Sequence, residues 1–128
     1  MSIEQDPEWQ ALPLLDAAAL ESLAGDAGAD VVGMLVTEFL DETERRVAEI
    51  LRAVIDGDHQ RLGFEGHALK STCSTFGAAR LGRRAALIEK SVKAGQNDHA
   101  VRLTDGIAAE REQTAAAFTT RFPEEPVD

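Results

Sequence analysis

Tyrosine is absent from this chain of 128 residues, and aromatic side chains make up only 5% of it. Strands are marked by clusters of aromatic and β-branched residues. Without such clusters the chain reads as all-α. A single cysteine, Cys73, excludes an intrachain disulfide and a multi-cysteine metal site. No apolar run approaches the roughly 18 residues of a membrane span. The first ten residues, MSIEQDPEWQ, have neither the basic start nor the apolar stretch of a secretory leader. Basic residues are outnumbered 13 to 23, for a net charge of −10 and a pI near 4.7. Such a surface repels phosphate backbones and anionic lipid, which argues against nucleic acid and membranes as partners and leaves basic protein surfaces. Neither a P-loop nor a kinase-type glycine-rich motif is present, so the chain is not expected to be a nucleotide-using enzyme. A soluble, cytoplasmic protein is the expectation.

What remains is 44% hydrophobic, enough for one domain with a real core. Residues 1–13 hold Pro7 and Pro13 and no periodicity, and read as a lead-in with Trp9 or Leu12 lying on the fold. A short helix then follows Asp16, a good N-cap, and stops at Gly25, burying Leu15, Ala19, Leu20 and Leu23. A long second helix starts at Ala29 or Asp30 and runs to Asp56, with Val32, Val36, Phe39, Leu40, Val47, Ile50, Leu51 and Val54 at helical spacing. Gly57 ends it and Asp58 caps a third, which Phe76-Gly77 ends. The fourth spans Ala78 to Lys93, with Leu81, Ala85, Ile88 and Val92 as its stripe. After the turn at 94–98 a fifth runs from His99 to Arg121. Residues 122–128 read as a disordered tail. Short connections make antiparallel neighbours. Residues 14–121 therefore predict an up-and-down antiparallel four-helix bundle with an additional short N-terminal helix. The runner-up is an irregular α-helical domain built of the same elements.

The third helix carries the chemistry. At about 100° per residue, Leu62, Glu65, Gly66, Leu69, Thr72, Cys73 and Phe76 share one face. His67 lies opposite, with Gln60, Gly63, Phe64, Lys70, Ser71 and Ser74 on its side. A bundle has no packing need for a histidine there, and a plain solvated histidine is the simplest account of it taken alone. Its neighbours argue for more. Neutral imidazole is nucleophilic, and its nitrogen can hold a phosphoryl group. Lys70, one turn on, can reach a phosphoryl oxygen, and the two serine hydroxyls can donate hydrogen bonds. Small residues keep the face flat for a partner. An exposed Phe64 suits docking. Cys73, on the opposite stripe, reads as a buried structural thiol.

The run HALKSTCSTFGAARL, residues 67–81, resembles the signature of histidine-containing phosphotransfer (HPt) domains. That signature is H-x-L-K-G, a few small residues, then G-A-x-x-L. His67, Leu69, Lys70, Gly77, Ala78 and Leu81 fall in register. Glu89 falls where the family often has Glu or Gln, and Phe39-Leu40 and Gly57-Asp58 also resemble family habits. The likeness covers residues 14–120. It implies a phosphoryl carrier in a two-component phosphorelay, with His67 phosphorylated and Lys70, Ser71 and Ser74 beside the phosphate. Gln60, Gly63, Phe64 and Glu89 would then form the partner-docking face. The implied partners are a response-regulator receiver domain and a hybrid histidine kinase. The carrier is then a monomer with no cofactor and no metal of its own, Mg²⁺ being supplied by the receiver. It has no kinase active site. The chain departs from the signature at Ser71, which replaces glycine; function is expected to survive, with the partner's approach or the transfer rate altered.

Three other accounts compete. A helical adaptor would dock a receiver without chemistry and carry no acid-labile phosphate. The phosphorylated domain of a larger histidine kinase would have the same motif. A metal or haem protein would use His67, His59 or His99, but no H-x-x-x-H or E-x-x-H spacing exists. His59 and His99 read as solvent-exposed residues near helix starts.

Overall fold

The structure, a computed structural model, describes residues 2–122. Among these residues there are seven α-helices and no strand: α1 (Pro7–Ala11), α2 (Ala17–Ala27), α3 (Ala29–Asp56), α4 (His59–Phe76), α5 (Ala79–Lys93), α6 (Asn97–Leu103) and α7 (Ile107–Arg121). Helices α3, α4, α5 and the α6–α7 pair form the up-and-down bundle. Helix α4 packs between α3 and α5, and α7 closes against α3 and α5. Helix α2 covers one end over α3 and α4. No helix is long and apolar enough to cross a membrane among the described residues.

Local chemistry sets the boundaries. Asp58 accepts from the Arg61 amide at 3.0 Å and starts α4, while Gly57, in the left-handed region at φ 66°, ends α3. Asp16 caps α2 as expected. Gly25 does not stop it; the helix continues to Ala27 and breaks at Gly28, whose φ of 88° an L side chain rarely adopts. The expected fifth helix is two. Its break at Thr104–Gly106 frees the carbonyls of Leu103 and Asp105, and both accept from Arg84 Nη1 at 2.7 Å.

The core runs the length of the bundle. Phe39 stacks on Phe76 at 4.6 Å and meets Phe118 at 4.7 Å, and Ile50, Leu62, Leu69, Leu81 and Ile88 have no exposed surface. Cys73 is buried, and burial pushes its thiol pKa up. Charged side chains also enter the interior, each held by an opposite charge. Arg84 pairs with Glu110 at 2.9 Å, both almost fully buried, and Arg46 reaches buried Glu65 at 2.9 Å.

The lead-in is ordered structure rather than a linker. Ile3–Gln5 forms a 3₁₀ turn, and α1 lies on α5. Trp9 Nε1 donates to Glu110 Oε2 at 3.1 Å, Arg80 donates to the Leu12 carbonyl at 3.0 Å, and Arg83 pairs with Asp6 at 2.9 Å. Phe122, assigned to the tail, packs half-buried on the core; the rest of that tail, 123–128, lies outside the described residues. His59 and His99 are half-buried, not free on the surface, because both line one hollow with the 95–98 turn and Arg102.

The motif glycine Gly77 joins three elements. Its φ is 82°, its carbonyl accepts from the Asp16 amide at 2.6 Å, and a Cβ there would lie 2.6 Å from the Asp16 carbonyl oxygen. Gly77→Ala should therefore cost about 1–3 kcal/mol from the backbone alone, before the clash is counted. Chemical denaturation measures this as a lowered midpoint.

Candidate functional site

The site is built where glycines let α4 and α5 pack closely. Gly63 and Gly66 of α4 face α5, and Gly82 of α5 faces α4. A Cβ on Gly63 would lie 2.9 Å from Val92 Cγ1, and one on Gly66 would lie 3.3 Å from the Ala85 carbonyl oxygen. Gly63, only partly exposed, therefore packs between helices as well as facing outward, a neighbour that its place on the helix face did not reveal.

The close approach puts Glu89 of α5 against His67 of α4. Glu89 is a correction, because its side chain is only 8% exposed and lies beneath the face rather than on it. Its carboxylate holds three donors. His67 Nδ1 lies 2.6 Å from Oε2, Lys70 Nζ 2.6 Å from Oε1, and Lys93 Nζ 3.4 Å from Oε2. A carboxylate only accepts, so Nδ1 carries the proton and Nε2 keeps its lone pair. The ring itself is 58% exposed. Burial pushes the Glu89 carboxyl up. The hydrogen bonds from Lys70 and His67, with the charge of Lys70, outweigh it and hold Glu89 below its usual value.

Around this centre Gln60, Phe64, Ser71 and Ser74 are exposed, and Phe64 is one of the most exposed large apolar side chains, at 66%. Phe64 and Gln60 border an open groove with Asp58 and Arg61. Ser74 and Lys70 border another, of about 280 Å³, whose wall includes Cys73 and Gly77. Lys93 was not anticipated. Its signal was present: on a helix, residue 93 stands one turn after residue 89, on the same face. Glu89 is the one carboxylate touching His67 among the described residues, and its three donors leave it unsuited to a metal. Among those residues no cluster of three or more His, Cys, Asp or Glu side chains could hold one.

A four-helix bundle that presents one exposed imidazole, its Nδ1 held by a buried carboxylate, has the geometry of a group carrier. Comparison with known proteins agrees. The model of the Hpt domain family matches residues 34–117. The phosphorelay protein LuxU of Vibrio harveyi is 35% identical over 85 residues, covering 65% of this chain and 73% of LuxU. The crystal structure of histidine-containing phosphotransfer protein B from Pseudomonas aeruginosa PAO1 superposes with a TM-score of 0.81 at 25% identity, covering 89% of this chain and 98% of that one. The chain belongs to the Hpt domain family and is a phosphotransfer carrier of two-component signalling.

The lowered Glu89 value has a consequence for acid stability. A carboxyl whose folded value is depressed contributes stability above its unfolded value, here 4.5, and loses it as pH falls through the lower folded value. The stability difference between the wild type and Glu89→Gln should therefore be constant near neutral pH and narrow progressively below pH 4.5. Denaturant midpoints at neutral and acidic pH measure it; a difference that stays constant would show that Glu89 is not held as a carboxylate.

Proposed function

We propose that His67 is the phosphorylated residue and that it exchanges its phosphoryl group with the aspartate of a response-regulator receiver domain. The observation that carries this is the Nδ1 contact to buried Glu89, which leaves Nε2 with its lone pair on an exposed ring. The Nε2 pair attacks the phosphorus of the aspartyl phosphate. An N–P bond forms as the O–P bond breaks, and the aspartate leaves as a carboxylate. The proton stays on Nδ1, so the positive charge developing on the ring meets the Glu89 carboxylate. The reverse step returns the group. Lys70, waiting on Glu89, can turn to a phosphoryl oxygen, while Ser71 and Ser74 offer hydroxyl donors. Gln60, Gly63 and Phe64 are the docking contacts that remain after that correction.

The same reading supplies the setting. A hybrid histidine kinase stands upstream, the carrier is monomeric and cytoplasmic, and Mg²⁺ belongs to the receiver, because the donor set around His67 does not suit a metal. The chain carries the phosphoryl group without a kinase site of its own.

Mixing the protein with a phosphorylated receiver should give label that is acid-labile and alkali-stable. His67→Gln should take none and stay folded, its stability within about 1 kcal/mol of wild type, since an exposed side chain loses one hydrogen bond. Label on that variant would place the acceptor elsewhere. Absence of label on the wild type would favour the adaptor.

Lys70→Ala should slow single-turnover transfer by about tenfold at most, because the site is exposed and screened. Lys70→Glu should be slower still, and the differences should shrink as salt rises. Equal rates for all three would make Lys70 only a structural partner of Glu89.

A further inference from the structure

His59 and His99 take no part in the chemistry at His67, yet the fold brings them together. His59 opens α4 and His99 lies in the first turn of α6. The two line one open hollow of about 670 Å³ with Gln96, Asn97, Asp98 and Arg102. His59 stands eight residues before His67 on α4, roughly 12 Å along the axis, so the hollow is separate from the phosphotransfer site.

Arg102 is the unusual member. Among the described residues, seven of the ten arginines pair with a carboxylate. Arg80 donates to a backbone carbonyl, and Arg121 lies over the Phe122 ring. Arg102 has no such partner among the described residues, although the chain holds 23 acidic side chains. Asp98, one turn before it, lines the same hollow without pairing to it. Asp58, next to His59 in the chain, accepts from the Arg61 amide instead. Burial, then neighbouring positive charge that includes Arg102, holds the His99 imidazole below its ordinary value. Of the three histidines, only His67 has a side-chain hydrogen-bond partner among the described residues. The hollow thus gathers a guanidinium, two imidazoles and two side-chain amides, all able to donate, with little to accept from them. A metal ion would be repelled by Arg102, and no three ligating side chains converge there among the described residues.

We propose that this hollow is a second anion site, which binds a phosphate group, either free or carried as a small monoester. Arg102 supplies the charge, and the imidazoles and the amides of Gln96 and Asn97 supply donors. Asp98 selects the anion. Phosphate keeps a proton near neutral pH, and the resulting P–OH can donate to a carboxylate. Sulfate has no such proton and would meet only repulsion from Asp98. A phosphate group fills a small part of the hollow, and the open side leaves room for an organic substituent. The bound anion offsets the charge of Arg102, so binding favours the protonated form of His99. The net charge of −10 does not prevent this, because distant charges are screened in salt.

The test titrates the full chain with inorganic phosphate at constant ionic strength and follows the three imidazoles by NMR. The His59 and His99 resonances should move together and saturate in the millimolar range, while His67 stays in place. His99 should take up its proton at a higher pH with phosphate than without. Sulfate should bind more weakly, and chloride should give no saturable shift. Arg102→Ala should weaken phosphate binding about three- to tenfold, between the worth of an exposed ion pair and of a charged hydrogen bond. Arg102→Lys should restore part of it. Arg121→Ala removes the same charge from the far end of the last helix and should change nothing. Asp98→Asn should bring sulfate and phosphate closer in affinity. Phenyl phosphate, titrated in parallel, distinguishes the two sources: binding at least as tight as that of the free ion marks a monoester site, and exclusion marks a site for the free ion.

Linear shifts that chloride reproduces overturn the inference, since they report ionic strength alone. So does a phosphate affinity that Arg102→Ala leaves unchanged, or an equal loss from Arg121→Ala, which would make it a bulk charge effect. Shifts confined to His67 would put the anion at the phosphotransfer site and overturn it as well. Sulfate binding as tightly as phosphate to the wild type would remove the role given to Asp98, and the phosphate assignment with it.

Discussion

One contact distance governs this molecule: how closely α4 and α5 approach. Gly63, Gly66 and Gly82 remove the side chains that would separate the two helices. The gain is a carboxylate delivered from one helix to a histidine on the other. Packed at the spacing of larger residues, α5 would hold Glu89 too far back for a 2.6 Å contact with His67 Nδ1. The glycines cost backbone entropy and helix propensity. That cost is offset where α4 and α5 bury Leu62, Leu69, Leu81 and Ile88 together. Site geometry and core packing are thus one problem, solved at the same interface.

Holding α5 in place requires more than apolar contact, and the chain uses charge for it. Arg84, buried under Trp9, joins the carbonyls of the broken last helix to Glu110, and Glu110 in turn takes the Trp9 indole. Buried ions persist only when closely paired, and such a pair fixes geometry more than it adds stability. Two atoms of the cluster, Arg84 Nε and Glu110 Oε1, have no hydrogen-bond partner among the described residues. The cluster therefore costs free energy, and its return is a fixed register for α5 between the N-terminal segment and α7. Glu89 lies on the same helix, so the arginine frame and the carboxylate at the site are one rigid element.

Much of this was legible in the sequence, and the exceptions share a cause. Helix phase alone put His67 opposite Leu69, and capping residues gave both ends of α4, because those signals act within one element. The motif from His67 to Leu81 gave the family. What periodicity could not give was the neighbour across a helix interface. Gly63 and Glu89 were assigned to the docking face, since both sit near His67 on a helical wheel or in the motif, yet one also packs on Val92 and the other lies beneath the ring. Arg84 and Glu110 were hidden for a related reason. They occupy the buried stripes of α5 and α7 at positions 84 and 110, beside Leu81, Ile88, Ile107 and Thr114. Opposite charges on two apolar stripes were the available sign of a buried pair. The break between α6 and α7 went unseen because Thr104-Asp105-Gly106 is a short turn inside a continuous apolar rhythm.

The placement of cations explains how so acidic a chain can carry phosphate. A net charge of −10 opposes a further dianion, but that field is screened beyond about 10 Å in salt. Only charges within a few ångströms matter, and there the balance is reversed: Lys70 and Lys93 both pair with the one carboxylate that holds the imidazole. Pairing both ammonium groups with Glu89 avoids a bare positive patch on an acidic surface. It also makes the site depend on its partner. On the free surface each lysine contributes little, since water screens it. A docked partner would remove that water and lower the local dielectric, so the same charges act more strongly while the phosphoryl group is in transit. Exposure at rest and strength in the complex are then two consequences of one arrangement, a buried carboxylate pairing an exposed ring with lysine cations.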